Sequence, residues 1–265
     1  MVTKPATTPL HSLEDLRGKV ALVTGASSGI GAAVALAFAS WGMPVALHYR
    51  SKRAEAEALV ERIRAGGGDA EAFAAEAKDS DSLARLAVDA HARFGRIDVL
   101  VNNAGGFVRR VPLAEADDAI IDEVFQQNAR SMMALSRSVI PFMRGLGGGS
   151  IINVTSQAAR SGGSFGAGVY SATKGFVSTY TRALARELVG DRIRVNAVSP
   201  GVIDTPIHEK HTSPAMLKEL TAGIPMRRLG SAEECCGAFL FLASESLSSY
   251  VTGQIIEVNG GSVMP

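Results

Sequence analysis

The stretch Val20-Ala21-Leu22-Val23-Thr24-Gly25-Ala26-Ser27-Ser28-Gly29-Ile30-Gly31-Ala32-Ala33-Val34-Ala35-Leu36 decides the architecture. A short apolar run ends in glycines, and the glycines open into a segment of helix formers. That is a strand turning sharply into a helix. Glycines permit the tight turn and a close backbone approach, while the helix N-terminus offers free N–H groups and the positive end of its dipole. Such a turn is built for a pyrophosphate. The spacing is Gly-x-x-x-Gly-x-Gly rather than Gly-x-Gly-x-x-Gly, and no Gly-Lys-Ser/Thr follows, so it is not a P-loop. A purely structural turn stays open as an alternative, but the strand–helix context favours a dinucleotide.

The same region carries no Asp, Glu, Lys or Arg from Val20 to Tyr49, long enough to raise a membrane span. Gly25, Gly29, Gly31, Gly42 and Pro44 break it twice, so it reads as strand, turn, buried helix, turn, strand. Further apolar runs follow at Val45–Leu47, Ile97–Val101, Ser150–Val154, Ile193–Val198 and Gln254–Val258, with helical stretches such as Ala54–Ala65 and Ser82–Phe94 between them. Apolar strands alternating with helices imply an α/β fold: a single doubly wound parallel sheet with helices on both faces. One domain is expected over 17–265, preceded by an extension over 1–16. Ser231-Ala232-Glu233-Glu234 reads as a capping box, and Ser213-Pro214 as an N-cap with proline in the first turn. The second of these lies in a segment, about 203–226, that interrupts the rhythm and is expected to form a lid over a ligand site, with a plain surface loop as the alternative.

Composition narrows the function. The 265 residues are 46% hydrophobic and 20% charged, and 27 Lys+Arg nearly balance 26 Asp+Glu. Disorder is excluded, and a nucleic-acid binder working by bulk charge is disfavoured. The two cysteines, Cys235 and Cys236, make no disulfide framework. The N-terminal residues Lys4, Pro5 and Pro9 interrupt any apolar run of the signal-peptide kind, so a cytoplasmic setting is expected.

The second strand should carry the residue that reads the adenosine ribose. It leads into His48-Tyr49-Arg50-Ser51-Lys52-Arg53, which holds no acid for a ribose hydroxyl. Arg50, backed by Lys52 or Arg53, would pair with a 2′-phosphate, which favours NADP over NAD. The bland alternative is a solvated basic helix start. Further along, Tyr170-Ser171-Ala172-Thr173-Lys174 places a phenol and an ammonium at i and i+4 of one helix face. An ammonium beside a phenol favours phenolate and so suits proton exchange near neutral pH. Ser156, just past an apolar run, would hold a carbonyl oxygen there.

With these motifs in this order the chain resembles the short-chain dehydrogenase/reductase family. The resemblance runs from Lys19 to Gly261 and includes Thr24–Gly31, Asn102-Asn103-Ala104-Gly105, Asn128, Ser156, Tyr170-x-x-x-Lys174, Pro200-Gly201 and the tail from Gly253-Gln254 to Gly260-Gly261. It implies a Rossmann-like fold and hydride transfer between nicotinamide and a carbon bearing oxygen, without a metal. It implies Tyr170 as general acid/base and Lys174 as the ribose ligand that lowers the Tyr170 pKa. Ser156 would orient the substrate oxygen, and Asn128 would hold a relay water. For the cofactor it implies Gly25, Ser27, Ser28, Gly29, Ile30 and Gly31 at the pyrophosphate, Tyr49, Arg50 and Ser51 at the ribose, and Glu76, Ala77, Asn102, Ala104 and Gly105 on the adenosine side. Pro200, Gly201, Ile203 and Thr205 would sit against the nicotinamide. The family pattern places Asp where Glu76 stands, and many NADP-preferring members have a basic residue where Ser28 stands; NAD use therefore stays open.

Other features carry less. His208-Glu209-Lys210-His211 lacks zinc-protease spacing. Cys235 and Cys236 read as buried small hydrophobes, and His48 and His91 as surface or strand-end residues. Arg109 and Arg110 would steer an anionic substrate or form a solvated loop. Gly145–Gly149 reads as a turn before a strand. The leading expectation is an NADP(H)-dependent reductase of ketones or 3-oxoacyl groups. The carrier-protein subtype would show a basic residue in the helix after Ser136, where Ile140-Pro141 stand. Alternatives are a sugar, polyol or steroid-like alcohol dehydrogenase and a catalytically silent NADP-binding sensor. The resemblance further implies a homotetramer built through the helices carrying Asn128 and Tyr170 and the C-terminal strand.

Overall fold

The computed structural model describes residues 12–206 and 212–265. Residues 1–11, most of the expected extension, and 207–211, which include the His208–His211 cluster, lie outside it. Seven parallel strands form one sheet in the order β3-β2-β1-β4-β5-β6-β7. They are β1 (Ala21–Val23), β2 (Val45–Tyr49), β3 (Ala70–Ala74), β4 (Val99–Asn102), β5 (Gly149–Val154), β6 (Ile193–Pro200) and β7 (Ile255–Val258). The connecting helices are α1 (Gly29–Ser40), α2 (Arg53–Ala65), α3 (Ser80–Phe94), α4 (Asp118–Phe125), α5 (Ser131–Leu146), the short α6 (Ala158–Ser161), α7 (Gly168–Leu188), α8 (Pro214–Gly223) and α9 (Ala232–Ala243).

Alternating residues of the central strands feed two cores. Ala21, Val23, Val99, Val101 and Ile152 pack with Val34 and Phe38 of α1, Leu59 and Ile63 of α2 and Phe239 and Leu242 of α9. Leu22, Leu100 and Ile151 face the other way, onto Leu83 and Leu86 of α3, Leu135 and Met143 of α5 and Leu184 and Leu188 of α7. Burial on both faces is why these strands read as unbroken apolar runs. The capping box at Ser231 and Glu234 and the Ser213 cap are both formed.

Three details differ from the sequence reading. The apolar runs number six, and the strand without one is β3, Ala70-Glu71-Ala72-Phe73-Ala74, an edge strand of helix-forming composition. Its register against β2, not its own propensity, makes it a strand. The expected boundary after Leu16 cuts through packed structure: Leu16 is fully buried, and the Asp15 carboxylate accepts from the Ser244 hydroxyl and the Glu245 N–H at 2.8 Å each. The helix holding Asn128 widens into a π-turn over Gln126–Arg130 between α4 and α5.

Candidate active site

The strand order reverses between β1 and β4, and a crevice beyond their C-terminal ends is the binding position of open α/β sheets. A cleft of about 540 Å³ opens there. Gly25, Ser27, Ser28, Gly29 and Ile30 form one wall. Gly25 has φ +63°, a left-handed conformation natural to glycine. Ser28 caps α1 without a side-chain hydrogen bond, and the first turn of α1 has no acid. The N–H groups and positive dipole end of α1 are thus left for an anion.

The turn is stapled to β4. The Thr24 hydroxyl accepts from the N–H groups of Asn103 and Ala104 at 2.9 Å each, and the Asn103 amide donates to the carbonyl oxygen of Thr24 at 2.8 Å and of Gly25 at 3.3 Å. Gly31 does not line the cleft. A Cβ there would collide with the Gly25 carbonyl oxygen and the Asn103 amide, so this glycine lets α1 close onto the strand ends.

At the end of β2, His48, Arg50, Ser51 and Lys52 line the cleft and Tyr49 does not. Strand alternation turns the Tyr49 side chain into a buried position. His48, expected at a surface or strand end, is buried and joins three segments. Its Nδ1 accepts from the Gly25 N–H at 3.2 Å, so Nε2 carries the proton and donates to the Ala75 carbonyl at 3.1 Å. Burial lowers its pKa below the ordinary histidine value, against the pull of the Ala75 hydrogen bond and the Glu76 charge. Ala77 lines the cleft, but Glu76 is exposed and turns back to accept from the Lys78 N–H at 3.1 Å. Ala104 and Gly105 line the wall, but the Asn102 side chain points into the interior. It donates to Ser136 Oγ at 3.0 Å and to Asn153 Oδ1 at 2.9 Å, and its neighbour Asn103 takes the place in the wall.

The other end holds Ser156, Tyr170 and Lys174, with Pro200, Gly201, Ile203 and Thr205 opposite the glycine turn. Lys174 is buried, and its Nζ donates to the Val154 carbonyl at 2.8 Å and lies 5.7 Å from the Tyr170 ring centroid. Thr155, donating to the Lys174 carbonyl at 2.8 Å, pins α7 to the end of β5. Burial pulls the Lys174 pKa down to about 8. Burial also pushes the Tyr170 phenol up to about 12, against a hydrogen bond from Ser156 and the charge of Arg110. Desolvation outweighs the Ser156 hydrogen bond and the Arg110 charge that oppose it, so the phenol is held protonated, where the sequence pointed to a value lowered by Lys174.

Asn128 is buried but its side chain does not face the cleft. Its Oδ1 accepts from the Gly106 N–H at 2.8 Å, and its Nδ2 donates to the carbonyls of Gly106 and Val124 at 3.0 Å each. It therefore clamps the wall beside Lys174. Phe107, in that wall, packs on Tyr170 at 4.2 Å between ring centroids. Thr205, Pro206 and Leu220 of the expected lid also line the cleft. The residues missed from sequence were Asn103, His48 and Gln157. For Asn103 the signal was present, since it lies inside the motif already noted.

Among the described residues no group of His, Cys, Asp and Glu forms a metal site, and no helix is long and apolar enough to cross a membrane. Cys235 and Cys236 are buried thiols. A glycine cradle on an uncapped helix, a basic strand end and a Ser–Tyr–Lys cluster in one crevice define a nicotinamide-dependent oxidoreductase of the Rossmann class. The chain belongs to the short-chain dehydrogenase/reductase family: residues 25–263 match the family model described as enoyl-(acyl carrier protein) reductase. It is 39% identical over 249 residues to 3-oxoacyl-[acyl-carrier-protein] reductase of Thermotoga maritima, covering 94% of this chain and 99% of that one. A solved NADH-dependent reductase responsible for alginate metabolism superposes with a TM-score of 0.88 at 37% identity, over 95% of this chain and 100% of the other. A 7α-hydroxysteroid dehydrogenase complexed with NADH gives 0.89 at 34% identity, over 95% and 98%.

Proposed function

We propose that the protein is an NADP(H)-preferring reductase that interconverts a ketone and a secondary alcohol. The observation that carries this reading is one cleft with Ser156, Tyr170 and Lys174 at one end and the basic pair Arg50 and Lys52 at the other. The glycine turn and the α1 N-terminus would hold the pyrophosphate, and Arg50, Ser51 and Lys52 the 2′-phosphate. Ala77, Ala104 and Gly105 would flank the adenosine; Pro200, Gly201, Ile203 and Thr205 would flank the nicotinamide. The bound nucleotide supplies or accepts the hydride.

The chain's own residues handle the proton. Tyr170, held neutral by burial, donates its phenolic proton to the carbonyl oxygen as negative charge develops there. Ser156 donates a hydrogen bond to the same oxygen and keeps it in line with the phenol. Lys174 binds the ribose hydroxyls through its ammonium. Asn128, its side chain committed to Gly106 and Val124, would fix the backbone beside Lys174, and its main chain would hold the water that returns a proton to the site. A phenol that stays protonated at neutral pH suits the reductive direction.

The assay is loss of nicotinamide absorbance at 340 nm over a carbonyl panel. Wild type should react, and Tyr170→Phe should fall by about 10²–10⁴-fold. Silence of both with intact NADPH binding would instead establish the sensor reading. Oxidation of sugars, polyols or steroid alcohols is the second reading, favoured by likeness to the hydroxysteroid dehydrogenase, and the reverse assay tests it. We further place the protein in the cytoplasm as a homotetramer. Supporting the assembly, β7 is an edge strand with half-buried residues, and Phe125 of α4 meets Phe176 of α7 in a half-exposed aromatic pair. Light scattering that gives a monomer would remove it.

A further inference from the structure

The turn after β5 carries a polar side chain to which the reaction chemistry above gives no task. Gln157 follows Ser156 directly and lines the same cleft. Its backbone is fixed on both sides. The N–H donates to the Pro200 carbonyl at 3.0 Å, and the carbonyl accepts from the Arg160 N–H at 3.0 Å and the Ser161 N–H at 3.1 Å. The residue thus joins the end of β6 to the turn after β5 and caps the start of α6. Its side chain has no such anchor, since Oε1 is buried without a hydrogen-bond partner among the described residues. That oxygen lies against Gly201, where an added Cβ would come within 3.1 Å of it.

A buried polar atom is costly to leave unpaired, and folded proteins pair nearly all of them. Among the described residues two buried side-chain oxygens are left over, Gln157 Oε1 and Ser199 Oγ, and Ser199 does not line the cleft. An acceptor held without a donor, one residue from the group proposed to hold the reacting carbonyl, points to a donor that arrives with the substrate. Consecutive Cα atoms are about 3.8 Å apart, so that donor belongs close to the carbon being reduced. A hydroxyl suits the position. The last bond of a glutamine side chain has a broad, roughly two-fold profile, so its carboxamide can turn either oxygen or N–H groups to the cleft. A hydroxyl both donates and accepts, and meets either orientation.

We propose that Gln157 sets the substrate class: a carbonyl compound with a hydroxyl on the carbon next to the one reduced, which pairs with the Gln157 carboxamide while Ser156 and Tyr170 take the carbonyl oxygen. The inference rests on the reductase reading. A site that pairs a substrate hydroxyl rejects the analogue lacking it, because the buried acceptor is then left unpaired. The carboxamide of the nicotinamide, which Gly201 is proposed to flank, is the competing donor, and the test separates the two.

The test compares hydroxyacetone with 2-butanone, which matches its shape, and with methoxyacetone, which keeps the electron withdrawal but cannot donate. Each is assayed in wild type and Gln157→Met, with NADPH and with NADH. Wild type should favour hydroxyacetone over both in kcat/KM by about tenfold or more, and Gln157→Met should lose most of that margin. No preference in wild type, or a ratio that Gln157→Met leaves unchanged, overturns the proposal. An unchanged ratio with weaker nucleotide binding would assign the oxygen to the nicotinamide carboxamide instead. Gln157→Met should also melt no lower than wild type, since it removes an unpaired oxygen and keeps the side-chain length. A clear fall would mean that the oxygen has a partner within the protein, which overturns the proposal too. If wild type reduces no carbonyl compound at all, the reductase reading is what has failed. The hydroxyl site is then judged by melting temperature: stabilisation of wild type but not Gln157→Met by hydroxyacetone supports it, and equal shifts or none overturn it.

Discussion

The Lys174 ammonium donates to the carbonyl oxygen of Val154 at 2.8 Å, which ties the middle of α7 to the last residue of β5. The bond spends one N–H and leaves the rest of the head group directed by a buried setting. Burial holds this lysine near pKa 8. As pH rises through 8 the ammonium is lost, and with it the charge proposed to hold the nucleotide. A basic limb in kcat/KM near pH 8 is therefore expected, and Lys174→Arg should move it upward because arginine stays charged. Folding stability follows the opposite course. The unfolded chain binds more protons at this site between pH 8 and 10.5, so this lysine's contribution to stability rises with pH across that window.

His48 offers a separate acid-side test. Its Nδ1 accepts from the Gly25 N–H only while the ring is neutral. The folded pKa is lowered, so protonation favours the unfolded chain. The stabilisation is complete above the ordinary histidine value of 6.5 and is lost as pH falls below it. Thermal melts of wild type and His48→Ala from neutral to acid pH should converge. At neutral pH, the variant should be less stable by about 1–3 kcal/mol, because the Gly25 N–H and the Ala75 carbonyl both lose their partner. NADPH binding followed by fluorescence should weaken in parallel.

Arg50 is exposed at the cleft edge, so its replacement should leave the fold intact. Arg50→Asp should weaken NADPH by about tenfold or more through loss of a charge-assisted contact, and NADH far less. Calorimetric titration with both nucleotides reads this. Equal losses would remove the case for a 2′-phosphate contact.

Gly31→Ala tests the closure of α1 on the strand ends. The added carbon meets the Gly25 carbonyl oxygen and the Asn103 amide, neither of which is the free end of a flexible chain. A stability loss of about 1–3 kcal/mol is expected from overpacking, read by denaturant unfolding. Nucleotide affinity should fall with it, since the same shift moves the glycine turn.

The architecture was legible along the chain because its signals are local. Apolar runs mark strands buried on both faces, glycines after the first run mark the turn, and Tyr170 and Lys174 share a helix face by spacing alone. β3 was hidden from that reading because alanine and glutamate do not favour a strand, and only pairing with β2 makes one.

Side-chain direction and burial were decided by the tertiary structure. Asn102 and Asn103 are neighbours, yet one enters a buried hydrogen-bond network and the other staples the glycine turn. His48 becomes a bridge because β1 and β3 flank β2 on either side. The pKa of Tyr170 turned upward because desolvation sums over every group packed around the phenol, while i,i+4 spacing speaks for one partner only. Residue order by itself determined that the glycine turn, Ser156, Tyr170 and Lys174 belong to one cleft. Packing between distant segments determined which way each one faces and which form it holds, because water is excluded by the whole fold and not by near neighbours along the chain.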